Sequence, residues 1–180
     1  MLKRVGHFSI LTLFFLFLAV FQFFFISALP GAWQYFNLGV ITIAFSLFLF
    51  DLKPTLYFVL IFGFFLDFFS FQFFSFHILI LLATTMAAYF FLNSLLTNKS
   101  LYSFWAIILI NVFVYNILSA LILFFASSFQ DKFLILQVSF WESMFYQALW
   151  GLLIAALFFN FLVTLIKKFK PFFLEKTGKI

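Results

Sequence analysis

Residues Gly63 to His77 read GFFLDFFSFQFFSFH. Asp67 is the only acid set deep inside an apolar run of this chain. Gly63, Asp67 and Ser70 follow at i, i+4 and i+7, a spacing that puts all three on one face of a helix. Phe64, Phe65, Leu66, Phe68 and Phe69 make the rest of the run greasy. A carboxylate at membrane depth costs roughly 2.5–3.5 kcal/mol on insertion scales. A partner side chain, a water-filled cavity or a neighbouring protein has to offset that cost. The stretch therefore predicts a membrane helix with one polar face, and the remaining sequence reads as five further membrane helices around it.

Composition sets the class. The chain is 67% hydrophobic and 8% charged, with a mean hydropathy of +1.26, whereas a soluble domain carries about 25% charged residues. Its 180 residues leave room for one domain, 1–180, and no separate soluble module. The net charge of +5 does not point to nucleic acid, because five of the ten basic residues fall in positions 167–180, just after an apolar run. Lysines beside a membrane helix set topology and meet anionic headgroups. There is no cysteine, so no disulfide framework, Cys-based metal site or thiol nucleophile exists. The 38 phenylalanines read as drift within the apolar alphabet, supplying lipid-facing surface.

In chain order, the expected helices are 8–28, 37–50, 55–71, 76–96, 104–126 and 140–166. The first apolar run, Phe8 to Ala28, spans about 32 Å as helix and matches a hydrocarbon core of about 30 Å. A signal peptide would have an apolar stretch of about 7–15 residues ending at a small-residue cleavage site. This run is longer and ends in Leu29-Pro30-Gly31, so a retained helix is expected. Pro30-Gly31 breaks the chain, and Trp33 and Tyr35 follow where an interfacial aromatic belt would sit. Asp51 to Pro54 reads as a tight turn, with Pro54 at the first helical position. Residues 72–75 read as a short bend and Thr97 to Ser100 as a polar turn. Ser127 to Ser139 is the longest loop. Lys167, Lys168 and Lys170 are expected to stop the last helix, leaving 167–180 as a short basic tail.

Lysine and arginine in short loops fix orientation. With the N-terminus inside, the inner segments hold Lys3, Arg4, Lys53, Lys99 and the five tail lysines, and the outer segments hold only Lys132. Both termini are therefore expected in the cytoplasm, with an even number of crossings. Asp67 then lies 13 residues beyond Pro54, or about 20 Å up its helix, in the outer half of the membrane.

Around Asp67 the sequence gathers Ser70, Gln72, Ser75 and His77. Two readings stand: a polar cluster that meets a partner or ligand, and an acid satisfied by neighbouring helices that fixes packing. His77 reads as a hydrogen-bonding partner, since one His with one Asp makes no metal site. Asn111, Tyr115 and Ser119 recur at four-residue steps, with Asn116 beside them, and so do Ser143, Gln147, Gly151 and Ala155. Small and polar residues at that step let helices approach and bond across the contact. The candidate cluster is thus Gly63, Asp67, Ser70, His77, Asn111 and Gln147. No phosphate-binding Gly-rich loop, HExxH or arguable Ser-His-acid set appears, so no catalytic residue, metal or cofactor is expected and the chain is not read as an enzyme.

At Gly63-x-x-x-Asp67-x-x-Ser70, followed by a short bend and His77, the chain resembles the rod shape-determining protein MreD family. That family has G-x-x-x-D-x-x-S-G-x-x-x-G between its third and fourth helices. Gln22 late in the first helix, Leu101 to Trp105 before the fifth, and Trp141 and Trp150 in the sixth also look similar. Phe71 and Ser75 replace the family's later glycines, and Tyr35-Phe36-Asn37 stands where an arginine-proline pair is common. The resemblance implies an all-α, polytopic inner-membrane protein of six transmembrane helices. It implies a non-enzymatic scaffold of cell-wall elongation that works with the bitopic partner MreC, the wall glycosyltransferase and transpeptidase, and the actin-like MreB. The substrate-binding S component of an energy-coupling-factor vitamin transporter is similar in size and fold and is the alternative. Its docking element, A-x-x-x-A in the first helix, is not matched, as Ala19 and Ala28 lie nine apart.

Overall fold

The computed structural model describes residues 12–13, 15–49, 52–70, 75–94, 101–126 and 137–174. Among them the chain is all helical. In order come α1 (Phe15–Ile26), α2 (Leu38–Leu49), α3 (Leu52–Ser70), α4 (Phe76–Ser94), α5 (Leu101–Ala126) and α6 (Val138–Leu174). The end of α1, Phe21–Ile26, widens into a π-helix, and Gly31–Tyr35 forms a 3-10 turn between α1 and α2.

The short helix α2 is the hub. It packs against α3, α4, α5 and α6, and successive helices from α3 to α6 pack on one another. Twelve almost entirely apolar residues give it no polar face to turn outward, and a helix hydrophobic all round belongs inside. Val40, Ile43, Ala44, Leu47 and Phe48 are accordingly buried beside Phe58, Phe62, Phe104 and Ile108. The first helix joins this core through Ala19, which is fully buried, and through Phe15, whose ring meets Phe58 edge-on at 4.9 Å.

Among the described residues the exterior carries many large apolar side chains. Tyr57, Leu60, Phe64 and Phe68 form an exposed stripe along α3, and Leu79, Met86 and Phe90 form one along α4. Water-soluble monomers rarely carry such continuous apolar surface. Among the described residues three helices, Leu52–Ser70, Phe76–Ser94 and Leu101–Phe125, are long and apolar enough to cross a membrane.

Several boundaries differ from the sequence reading: α5 begins at Leu101, three residues early, so Leu101 to Trp105 form its first turns, and α1 ends at Ile26, before the expected Ala28. Pro54 is the third residue of α3, not the first. It is tolerated there because first-turn N–H groups have no partner inside the helix. The last helix runs past Lys167, Lys168 and Lys170 to Leu174. Lysine is a good helix former, so these residues end the apolar run without ending the helix. It also begins at Val138, two residues early. The expected turns at 72–74 and 97–100, the loop from 127 to 136 and the tail beyond 174 lie outside the described residues.

Candidate functional site

The α3–α4 hairpin closes around Gly63 and Asp67. A Cβ on Gly63 would sit 3.0 Å from the Ile78 Cα and 3.2 Å from the Ile78 nitrogen. Glycine therefore lets the first turn of α4 approach α3 this closely without crowding. One helical turn further along α3, Asp67 uses that approach. Its Oδ1 accepts the His77 backbone N–H at 2.6 Å, and its Oδ2 accepts the Ile78 N–H at 3.3 Å.

These two N–H groups belong to the second and third residues of α4, the groups that an N-cap side chain normally satisfies. Asp67 thus caps α4 from a different helix. The positive end of the α4 dipole also favours a negative charge at this point. Ser75, the residue before α4, has φ 72°, and its carbonyl accepts the Leu79 N–H at 3.0 Å. The left-handed backbone at Ser75 turns the chain into the helix while the carboxylate takes the place of a local cap.

The His77 ring completes the arrangement. Its Nδ1 lies 3.0 Å from Asp67 Oδ1 and 3.5 Å from Ser70 Oγ. The Asp67 side chain is 0% exposed and that of His77 14%. Two backbone donors and an imidazole therefore meet a carboxylate that the sequence alone left uncompensated. Ser70 and Asp67 share one ring nitrogen. A nucleophile relay needs hydroxyl and carboxylate on opposite nitrogens, so the three residues do not form one.

A second set of polar contacts fixes the start of α2. Gln22, inside the π-helical turn, accepts the Leu38 N–H at 2.7 Å and donates to the Phe36 carbonyl at 3.1 Å. Asn37 is the local cap, its Oδ1 accepting the Val40 N–H at 3.2 Å. Tyr115 on α5 lies beside the Asn37 side chain. The 3-10 turn is clasped to α6. Trp33 stacks on Trp150 at 3.8 Å, Tyr35 on Tyr146 at 5.8 Å, and Trp150 Nε1 donates to the Ala32 carbonyl at 3.1 Å. These aromatics, read from sequence as an interfacial belt, make a tertiary contact.

The six candidate residues separate into three groups. Gly63, Asp67, Ser70 and His77 come together. Gln147 instead accepts from Asn116 Nδ2 at 2.8 Å and latches α5 to α6. Asn111 is 0% exposed, and neither its Oδ1 nor its Nδ2 has a hydrogen-bond partner. Each unsatisfied buried group of this kind costs about 1–3 kcal/mol. The candidate set omitted Gln22 and Asn37. Asn37 carried the usual helix-start signal, a capping residue just before an apolar run. Gln22 had no local signal, since its partners lie 14 and 16 residues away. Among the described residues no three His, Asp or Glu side chains gather as a metal site. An open groove of about 830 Å³ runs between α4, α5 and α6, lined by apolar residues including Phe91, Phe113, Trp141 and Phe145.

Comparison with protein-family models, with curated proteins and with solved structures finds no match to this chain.

Proposed function

We propose that this chain is an MreD-like, non-enzymatic scaffold of bacterial cell-wall elongation. On this reading it crosses the inner membrane six times with both termini in the cytoplasm. It holds an MreC-like bitopic protein and, through it, the wall glycosyltransferase and transpeptidase. The reading rests on the Gly63-x-x-x-Asp67-x-x-Ser70 element and is carried by one observation: the way Asp67 closes α3 onto α4. All polar atoms of Asp67 are spent inside the chain, which suits an element that shapes a docking surface and leaves direct contact to other residues. The family pattern has glycine at the position of Ser75, and the left-handed backbone at Ser75 is the conformation that a glycine serves best. The apolar exterior and the three helices of membrane-spanning length support the bilayer setting.

The vitamin-transporter alternative gains no support from the first helix. Ala19 is buried in the core and does not offer a small-residue surface to a coupling subunit.

Co-expression of the tagged chain with the MreC-like protein of the same organism, followed by affinity purification in mild detergent, tests the proposal. Stoichiometric co-purification that survives washing is expected. Failure of the two to associate, together with tight binding of thiamine, riboflavin or biotin, would replace this reading with the transporter one.

A further inference from the structure

We propose that the C-terminal end of α6, residues 164–174, is a basic amphipathic helix seated on the anionic headgroups of the membrane. The inference starts from a length. Helix α6 runs for 37 residues, Val138–Leu174, or about 55 Å, against a hydrocarbon core of about 30 Å. Contacts inside the bundle show which end overruns. The Cβ position of Gly151 lies 3.9 Å from Ile41 of α2, and the Phe158 ring lies 6.5 Å from that of Phe45. The two helices therefore run in the same direction. Helix α2 ends at Leu49, four residues after Phe45, level with about residue 162 of α6. Helix α5 gives the same answer from the opposite direction. Gly151 lies against Ile108, and Gln147 bonds Asn116, so α5 runs antiparallel to α6. Its first residue, Leu101, falls level with about residues 158–162. From about residue 163 onward, α6 has passed the ends of both α2 and α5.

The sequence changes character at the same point. Leu152 to Phe159 is apolar all round. Beyond it the pattern becomes one-sided. At about 100° per residue, Leu165, Ile166, Phe169, Phe172 and Phe173 share about 120° of arc. Thr164, Lys167, Lys168, Lys170 and Pro171 take the rest of the circumference, with Leu174 among them. A segment inside a bilayer has no use for such a division, and a segment standing free in water would leave three phenylalanine positions uncovered.

Charge selects the occupant. Positions 167–180 hold five lysines and one acid, Glu175. Basic amphipathic helices with Phe and Leu on the apolar face bury that face about 5–10 Å into the headgroup and acyl boundary, and their lysines meet lipid phosphates. The membrane from which α6 emerges supplies that surface directly. A second copy laid on the same segment would bring like charges together. The inference rests on the bilayer setting and on neither Asp67 nor the proposed partners, so its failure would leave the scaffold reading untouched.

Spin labelling of the full chain, reconstituted in vesicles of phosphatidylcholine with phosphatidylglycerol, tests it. The chain has no cysteine, so Phe169→Cys, Phe173→Cys, Lys167→Cys and Pro171→Cys each place one label. We expect labels at 169 and 173 to collide mainly with oxygen, which concentrates among acyl chains. Labels at 167 and 171 should collide mainly with a water-soluble nickel chelate. The oxygen-to-nickel ratio should differ severalfold between the two pairs, and the difference should shrink in phosphatidylcholine alone. Equal ratios at all four positions, a difference as large without the anionic lipid, or spin–spin broadening at 169 and 173 from a second copy would overturn the proposal.

Discussion

Asp67 on α3 accepts the backbone N–H of His77 on α4 at 2.6 Å, so one helix supplies the cap of the next. A local cap would fix only the start of α4. This one also fixes the distance and rotation of α3 against α4, because the carboxylate reaches the N–H groups only while Gly63 lies against Ile78. Sequence, packing and polar satisfaction therefore meet in four residues of one hairpin.

Removing the acceptor should expose that dependence. Asp67→Asn keeps the size of the side chain and an oxygen for one N–H, but its amide nitrogen faces the second donor. Asp67→Leu strands both N–H groups and the imidazole. Unfolding in detergent should show Asp67→Asn losing about 1 kcal/mol and Asp67→Leu about 2–3 kcal/mol, in the range of unmade buried hydrogen bonds. The leucine variant should still insert, since the carboxylate opposes insertion. A leucine variant as stable as the parent chain would show that the bonds contribute nothing.

Gly63→Ala tests the close approach. Its methyl group would meet the Ile78 Cα at 3.0 Å, its Cγ1 at 3.1 Å and its nitrogen at 3.2 Å, so the first turn of α4 has to give by a few tenths of an ångström. Overpacking of this kind costs about 1–3 kcal/mol. Thermal unfolding should place Gly63→Ala below the parent chain and Gly63→Leu lower still.

Ser75 offers a change in the stabilising direction. A non-glycine residue in the left-handed region carries a penalty of about 1–2 kcal/mol, partly balanced by the extra chain entropy that a glycine loses on folding. Ser75→Gly should raise stability by about 0.5–1 kcal/mol and Ser75→Val should lower it. Denaturant titration of both variants in one detergent gives the signs directly.

Much of this hairpin was legible in the sequence because its logic is periodic. The i, i+4, i+7 spacing put Gly63, Asp67 and Ser70 on one face, and His77 was read as the hydrogen-bonding partner. The ten-residue separation of Asp67 and His77 kept the partners within a single hairpin. What spacing does not encode is which of several polar stripes meet. Asn111 and Gln147 each sit on a good stripe, yet Gln147 pairs with Asn116 and Asn111 pairs with no side chain, because helix rotation is set by packing around α2. The Gln22 clamp on Phe36 and Leu38 was hidden for a related reason. It depends on a π-helical turn that no local pattern announces.

The Asn116–Gln147 latch should be modest. Interhelical hydrogen bonds in membrane proteins average about 0.6 kcal/mol in double-mutant cycles. A cycle with Asn116→Val and Gln147→Leu should return a coupling near that value, and a coupling above about 2 kcal/mol would give this pair a larger role than packing assigns it.

Orientation is tested separately. Single cysteines at Asn98 and Ser128 in this cysteine-free chain should react differently with a membrane-impermeant thiol reagent on intact cells. Labelling at 128 and protection at 98 is expected, and the reverse pattern would invert the topology.

Hydrogen exchange at the His77 and Ile78 amides, compared between the parent chain and Asp67→Leu in lipid bilayers, tests the tertiary cap most directly. The cap predicts slow exchange at both amides in the parent chain. It predicts an increase of at least tenfold in Asp67→Leu, with amides in the middle of α4, such as Thr84 and Thr85, changing far less. Equal exchange at His77 and Ile78 in the two proteins would contradict it.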